Sequence, residues 1–202
     1  MIVLLKLVST QLRERDKKLQ LAYTHDWTGW DKDKDKEEWF AGKEWCGENW
    51  TYQQLAHSVG ISTSECHAAT KRCLQNKLLQ LSRQTQRPIP VIKHVEEFCI
   101  HGLKYVFPTQ LGSLVRGIPT TYAAPVLVGK LFSAGEHSYV WPDGYGKQSG
   151  IALLPIHPSV PRAVRDDLIM YELLALIDAM RVGRPREATL AQELFSQRIN
   201  PL

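Results

Sequence analysis

The sequence lacks long apolar runs, paired cysteines and a recognisable leader. No run of about eighteen apolar residues, the length that spans a bilayer, occurs in the chain, so we expect no membrane partner. The four cysteines are scattered without a Cys-x-x-Cys pair, which argues against a zinc knuckle or a disulfide framework. The apolar start MIVLLKLV is short, is interrupted by Lys6 and has no small-residue cleavage site, which argues against a signal peptide. We therefore expect a reduced, cytoplasmic protein.

The short motifs of common enzyme classes are also missing. The sequence has no glycine-rich phosphate loop, no Gly-x-Ser-x-Gly elbow and no His-Glu-x-x-His pair. Asp166 and Asp167 are adjacent, so they would point to different faces of a helix and would hold a metal ion poorly. His94, Cys99 and His101 have no fourth ligand at a spacing typical of zinc sites. We expect a protein that is not an enzyme and that binds no cofactor and no metal ion.

The excess positive charge is concentrated in one segment. The formal net charge is +4, and residues 62–87 alone contain five basic side chains against one acidic side chain, Glu65. The basic residues are Lys71, Arg72, Lys77, Arg83 and Arg87. A local basic patch is an electrostatic footprint for phosphate groups. The other interpretation is an ordinary solvated helix face.

The same segment begins with the signals of two helices joined by a tight turn, in the stretch TYQQLAHSVGISTSECHAATKR. Thr51 can cap the first helix, and Gly60 can end it in the left-handed conformation. Ser62 and Glu65 have the spacing of a capping box that opens the second helix. This pair is either a helix-turn-helix that places a helix in a DNA groove or a helical hairpin of a globular core.

The stretch resembles the helix-turn-helix of prokaryotic regulators. Counted from Tyr52, that motif has alanine at its fifth position and glycine at its ninth, and Ala56 and Gly60 match. Its five apolar positions are matched as well, by Leu55, Val59, Ile61, Cys66 and Ala69. We expect Cys66 and Cys73, on the inward face, to be inert packing residues.

The next residues resemble the wing of the winged-helix family, which includes the MarR-like repressors. A short strand is predicted over residues 78–82, a polar turn with two arginines follows, and Pro88 and Pro90 are expected to stop any regular continuation. The phrase RCLQNKLLQLS resembles the R-L-x-x-x-G-L-L phrase of that family. Asn76 and Lys77 stand where glycine is usual, and we expect Asn76 to tolerate the left-handed conformation.

The resemblance implies a role for each exposed polar residue of this region. The second helix would lie in the major groove, with Thr63 and Ser64 at base edges or phosphate and His67 at a base edge. Lys71 and Arg72 would bind phosphate, and the wing arginines would bind phosphate or enter the minor groove. The start of the first helix would contact the DNA backbone. The predicted DNA-binding residues are Thr51, Gln53, Thr63, Ser64, His67, Lys71, Arg72, Arg83 and Arg87.

Five of the six tryptophans lie between residues 27 and 50, although the charge run DKDKDKEE there breaks any apolar period. A plain linker has no need of such large apolar side chains. This Trp-rich insertion either folds back over the core or forms a surface that binds a protein partner or stacks on bases.

A C-terminal helix is predicted from about Pro161 to just before Gly183, and it is apolar on nearly all sides between Leu168 and Met180. Such a helix must be buried on most sides. We favour a second copy of the chain as its partner, and hence a homodimer; the alternative is burial within one chain under residues 108–160.

The sequence as a whole therefore predicts a mainly α-helical fold with a small β component. A winged helix-turn-helix domain would cover residues 1–90, with the Trp-rich insertion at about 15–50. Residues 91–202 would be a helical and irregular region, with a Pro/Gly-rich segment and a C-terminal helical pair, for dimerisation or partner binding.

For function, we expect a sequence-specific regulator of transcription that binds double-stranded DNA, most simply a dimeric bacterial repressor. The alternative is a winged-helix protein-interaction module, either antitoxin-like or an adaptor, that binds a protein partner through the Trp-rich insertion.

Overall fold

The computed structural model describes residues 1–15, 50–132 and 138–200. Nearly all of the Trp-rich insertion, and with it the prediction that the insertion covers the core or binds a protein partner, lies outside the described residues. No helix within the described ranges is long and apolar enough to cross a bilayer.

The elements confirm a mainly helical fold with a small β component. The helices are α1 (Ile2–Arg15), α2 (Tyr52–Val59), α3 (Thr63–Gln75), α4 (Ile92–Glu97), α5 (Leu103–Val106), α6 (Val160–Ala163), α7 (Leu168–Val182) and α8 (Pro185–Ile199). A π-helical turn, Phe98–Gly102, joins α4 to α5. The strands are β1 (Leu79–Leu81), β2 (Pro88–Pro90), β3 (Leu111–Thr120), β4 (Tyr139–Pro142) and β5 (Gln148–Leu153).

The pair α2 and α3 has the ends that the sequence predicts. The Thr51 hydroxyl oxygen accepts a hydrogen bond from the Gln54 N–H at 3.1 Å and so caps α2. Gly60 ends α2 with φ of 70°, in the left-handed region that glycine adopts without strain. The Ser62 hydroxyl oxygen accepts from the Glu65 N–H at 3.1 Å and caps α3. The turn between the two helices is therefore fixed by local bonds.

A β-hairpin follows α3, and the expectation about its two prolines is wrong. Pro88 and Pro90 do not stop the regular structure, because they form β2 and pair antiparallel with β1. The bonded pairs flank them: the Ser82 N–H donates to the Arg87 carbonyl at 2.8 Å, and the Val91 N–H donates to the Leu78 carbonyl at 3.0 Å. The prolines alternate with these positions, so neither needs an N–H for the ladder.

The left-handed residue before the hairpin is Lys77 rather than Asn76. Lys77 has φ of 57°, whereas Asn76 ends α3 with φ of −85°. The Lys77 N–H donates to the Leu74 carbonyl at 3.0 Å, and the Lys77 carbonyl oxygen lies 2.8 Å from Nδ1 of His94. These bonds hold the turn in a conformation that a lysine would not choose alone.

The apolar C-terminal helix is shorter than predicted and is buried within one chain. α6 ends at Ala163, and α7 begins after Asp167, whose side chain accepts from the Met170 N–H at 3.0 Å. Every residue from Ile169 to Ala179 is buried. Packed around the helix are α1, α5, α8, β3 and the 3₁₀ turns Thr121–Ala123 and Pro125–Leu127. α7 is therefore buried without a second copy of the chain, and the prediction that a second copy covers this helix is wrong. The homodimer itself stays a prediction.

Strands β3, β4 and β5 close on themselves in a small barrel that the sequence did not predict. β3 pairs antiparallel with both β4 and β5, and β4 and β5 pair in parallel. Gly117 permits the closure, because a Cβ there would lie 2.0 Å from the carbonyl oxygen of Trp141. The barrel packs on α7 through Asp178, whose carboxylate accepts from Trp141 Nε1 at 2.6 Å and from the Thr120 hydroxyl at 3.0 Å.

The buried apolar residues of α1, α2, α3 and α7 belong to one core cluster. Asp167 joins α1 to α7 inside it: its carboxylate lies 2.7 Å from Lys6 Nζ and 3.1 Å from Arg13 Nη2, and it accepts from the Ser9 hydroxyl at 2.6 Å. The helix pair α2 and α3 therefore packs on a core to which the C-terminal helices contribute. The division into domains at about residue 90 remains a prediction.

Candidate nucleic-acid interface

One side of α3 faces the core, and the opposite side faces solvent. Cys66, Ala69, Thr70 and Cys73 are buried. The exposed side chains are those of Thr63, Ser64, His67, Lys71 and Arg72. Three of these, Thr63, His67 and Lys71, are four residues apart and form one row along the helix. We call this row the α3 row. The side chains of this row are exposed to solvent.

Among the residues that the structure describes, the cations of this region form no salt bridge. Lys71, Arg72 and Arg83 are exposed, and Arg87 is half-buried. The salt bridges among the described residues all involve other cations, which belong to α1, α7, α8 and the loops of the C-terminal region. The positive charge around α3 and the hairpin is therefore available for an anionic partner.

The two arginines of the hairpin lie in and beside its turn. The Gln86 N–H donates to the Ser82 carbonyl at 3.0 Å and closes the turn, and Gln86 itself is left-handed with φ of 55°. Arg83 lies inside this turn, and Arg87 lies between the turn and the start of β2. An arginine pair at a hairpin tip suits contact with phosphates or with a minor groove.

The remaining predicted contacts lie at the start of α2. Thr51 and Gln53 are both exposed. The oxygen of Thr51 already accepts the capping bond from Gln54, so its hydroxyl can still donate one hydrogen bond to a phosphate.

The C-terminal region braces the turn between α2 and α3. A Cβ on Gly60 would lie 2.8 Å from Cδ of Arg162, so the turn and α6 are in close contact. The carboxylate of Glu65, which the capping-box pattern would direct back to Ser62, lies 3.5 Å from Nε2 of His157. The first turn of α3 is therefore held from outside the helix pair as well as from within it.

The surroundings of His67 were not predicted from the sequence. Its ring centroid lies 5.1 Å from that of Tyr52, with an angle of 66° between the planes. The Tyr52 ring in turn lies 4.7 Å from that of Trp50, also at 66°. The only sequence signal is a Trp-x-Tyr at the start of the first helix, and its relation to His67 depends on how the two helices cross.

The three described cysteines, Cys66, Cys73 and Cys99, are buried free thiols. Burial raises the pKa of Cys66 to about 11 and that of Cys99 to about 12, and it also raises the pKa of Cys73. These thiols stay protonated at neutral pH, as expected for packing residues. Cys46 lies outside the described residues. Within the described ranges, no group of three or more His, Cys, Asp and Glu side chains is placed to hold a metal ion.

Comparisons of the chain with protein-family models, with curated proteins and with solved structures find no match.

Proposed function

We propose that the protein is a sequence-specific regulator that binds double-stranded DNA. The observation that carries the proposal is the α3 row: Thr63, His67 and Lys71 are exposed on a helix that a tight glycine turn holds against α2. The cations beside this row make no salt bridge with any described residue. A rigid helix with polar side chains and uncompensated positive charge suits the width and the charge of a major groove.

In this proposal, α3 enters the major groove with its N-terminal end first. Thr63 and His67 meet base edges, while Lys71 and Arg72 neutralise phosphates on the groove wall. The hairpin reaches the flanking backbone or minor groove through Arg83 and Arg87. Phosphate contacts fix the position of the helix, and the base contacts supply the sequence preference.

Selection of bound duplexes from a random library tests this proposal. We expect a defined motif to be enriched, and binding to that motif should weaken steeply with salt. If the four cations Lys71, Arg72, Arg83 and Arg87 each neutralise one phosphate, the slope of log K against log salt is about −3.6 for each chain. Failure to enrich any motif over the starting library would refute the proposal.

The enriched motif also tests the homodimer. An inverted repeat with half-sites about 34–36 Å apart requires two chains related by a two-fold axis. A single asymmetric motif that binds one chain would contradict the dimer and leave DNA binding intact. The dimer is thus tested separately from the interface.

A second candidate function, a protein-interaction module, is favoured by apolar side chains on the C-terminal region. Leu114 is 69% exposed and Phe132 is 71% exposed, although both are large and apolar. Exposed apolar side chains mark protein–protein contacts where they form a contiguous patch. We expect such a module to co-purify with the product of an adjacent gene, with DNA playing no part, and to lose that product when Leu114 and Phe132 are both replaced by serine. Deletion of residues 25–46 tests the role of the Trp-rich insertion separately, and it should also abolish the co-purification. Retention of that protein by the deletion variant would contradict this role of the insertion.

A further inference from the structure

His67 lies in a row of three aromatic rings that begins before α2. Each contact in the row is edge-to-face, from Trp50 to Tyr52 at 4.7 Å and from Tyr52 to His67 at 5.1 Å between ring centroids. Trp50 and Tyr52 are partly buried and pack against the core, whereas His67 is exposed. The three rings therefore link the core to His67, which is one member of the α3 row.

This contact restricts the imidazole. An exposed histidine turns about two side-chain bonds and has many orientations open to it. An edge-to-face aromatic pair favours its own geometry by about twofold to tenfold over an unpaired arrangement. Holding a side chain in its bound orientation before the partner arrives reduces the entropy lost on binding. Within the described ranges, Ser64 and Lys71, the exposed neighbours of His67 on α3, contact no aromatic ring in this way.

We propose that Tyr52 is a positioning residue for base recognition, which fixes the orientation in which His67 meets a base edge. Trp50 supports Tyr52 from the core side, and Tyr52 acts through the imidazole. The inference rests on the proposed DNA-binding function and adds to it a specificity determinant on α2.

The test measures discrimination, which is the ratio of the Kd for a duplex substituted at one base pair to the Kd for the selected duplex. The relevant base pair is the one whose discrimination falls in His67→Ala. We expect Tyr52→Leu, which keeps apolar bulk and removes the ring, to reduce that ratio by about twofold to tenfold. Tyr52→Phe keeps the ring and should behave as wild type. In the His67→Ala background, Tyr52→Leu should change the ratio no further.

Tyr105→Leu is the matched control, because Tyr105 is 77% exposed and lies on α5, outside the aromatic row. It should leave discrimination at every base pair unchanged. If Tyr52→Leu does not fold, Tyr52→Met replaces it under the same criteria. The imidazole proton shifts of His67 by NMR should also move in the folded ring-less variant and stay in place in Tyr52→Phe.

The outcomes separate this inference from the proposed function. A wild-type protein that selects a motif, with Tyr52→Leu discriminating as well as wild type, overturns the positioning role alone. A ring-less variant that weakens binding equally on all duplexes also overturns it, since that result indicates a purely structural tyrosine. A wild-type protein with no sequence preference refutes the proposed function and this inference together.

Discussion

Replacing Asp167 with asparagine is expected to destabilise the protein by about 3 kcal/mol. The Asp167 side chain is fully buried, and its partner Lys6 is only 6% exposed. Removing one member of a buried ion pair costs about 3–5 kcal/mol, because the other charge is left without compensation. Asparagine keeps an oxygen for the Met170 N–H, and Arg13 lies near enough to solvent to be hydrated, which places the expected value at the lower end.

Thermal and urea unfolding measure this loss. A destabilisation of about 3 kcal/mol in a chain of this size lowers Tm by about 6–12 °C. The matched control is Asp166→Asn, since Asp166 is the preceding residue and is exposed. It should change stability by no more than about 0.5 kcal/mol. Adding Lys6→Met to Asp167→Asn should restore part of the loss, because the stranded ammonium is then removed.

The difference between wild type and Asp167→Asn should also depend on pH. Burial alone would raise the pKa of Asp167, but the nearby charges of Lys6 and Arg13 outweigh burial and hold the pKa below its ordinary 3.8. The ionised carboxylate therefore stabilises the fold above that pH, and the stabilisation is lost as pH falls towards the folded-state pKa. The difference should be constant between about pH 5 and 7 and should close below about pH 4. Equal stability of Asp167→Asn and Asp166→Asn at pH 7 would show that the buried ion pair of Asp167 with Lys6 does not stabilise the fold.

Three further predictions concern the interface and the packing around it. Lys71→Ala should weaken binding to selected and random duplexes alike and reduce the magnitude of the salt slope by about 0.9; an unchanged slope in an anisotropy titration would count against a phosphate contact. Gly60→Ala should lower Tm more than Gly144→Ala, because the positive φ at Gly60 costs an alanine about 1–2 kcal/mol in strain, whereas Gly144 has neither a positive φ nor a neighbour that a Cβ would meet; equal Tm values would contradict this. Cys66 and Cys99 should be alkylated by iodoacetamide at pH 7.5 only after unfolding, since their raised pKa reduces the thiolate by about a hundredfold or more; rapid labelling of the native protein, seen by peptide mass spectrometry, would show that they are accessible.

The ends of α2 and α3 could be predicted because their signals are local. Each cap joins residues three apart in sequence, and Gly60 has the conformational freedom that the turn requires. The outcome at Pro88 and Pro90 depends on register, since a proline is compatible with a hairpin at alternate positions only. The sequence pattern can indicate that a segment forms a strand, but it does not indicate the register in which that strand pairs.

Contacts between distant residues could not be predicted. β3 contains Gly112, Gly117 and Pro119, which disturb any apolar alternation, and it is a strand because β4 and β5 approach it closely. For α7, composition correctly predicts burial, but only the structure shows that α1 and α8 bury it. For the same reason, the contact between Tyr52 and His67 follows from the crossing of α2 and α3 and has no signature in the sequence.

In the proposed function, the α3 row carries the sequence preference for DNA. Parallel selections from one random duplex library, with the wild type and with a Thr63→Ala, His67→Ala variant, measure that contribution. We expect the wild type to enrich a defined motif and the variant to enrich the same motif without its preference at a few contiguous base pairs. A wild type that enriches nothing, or a variant whose motif is unchanged at every position, would contradict this expectation.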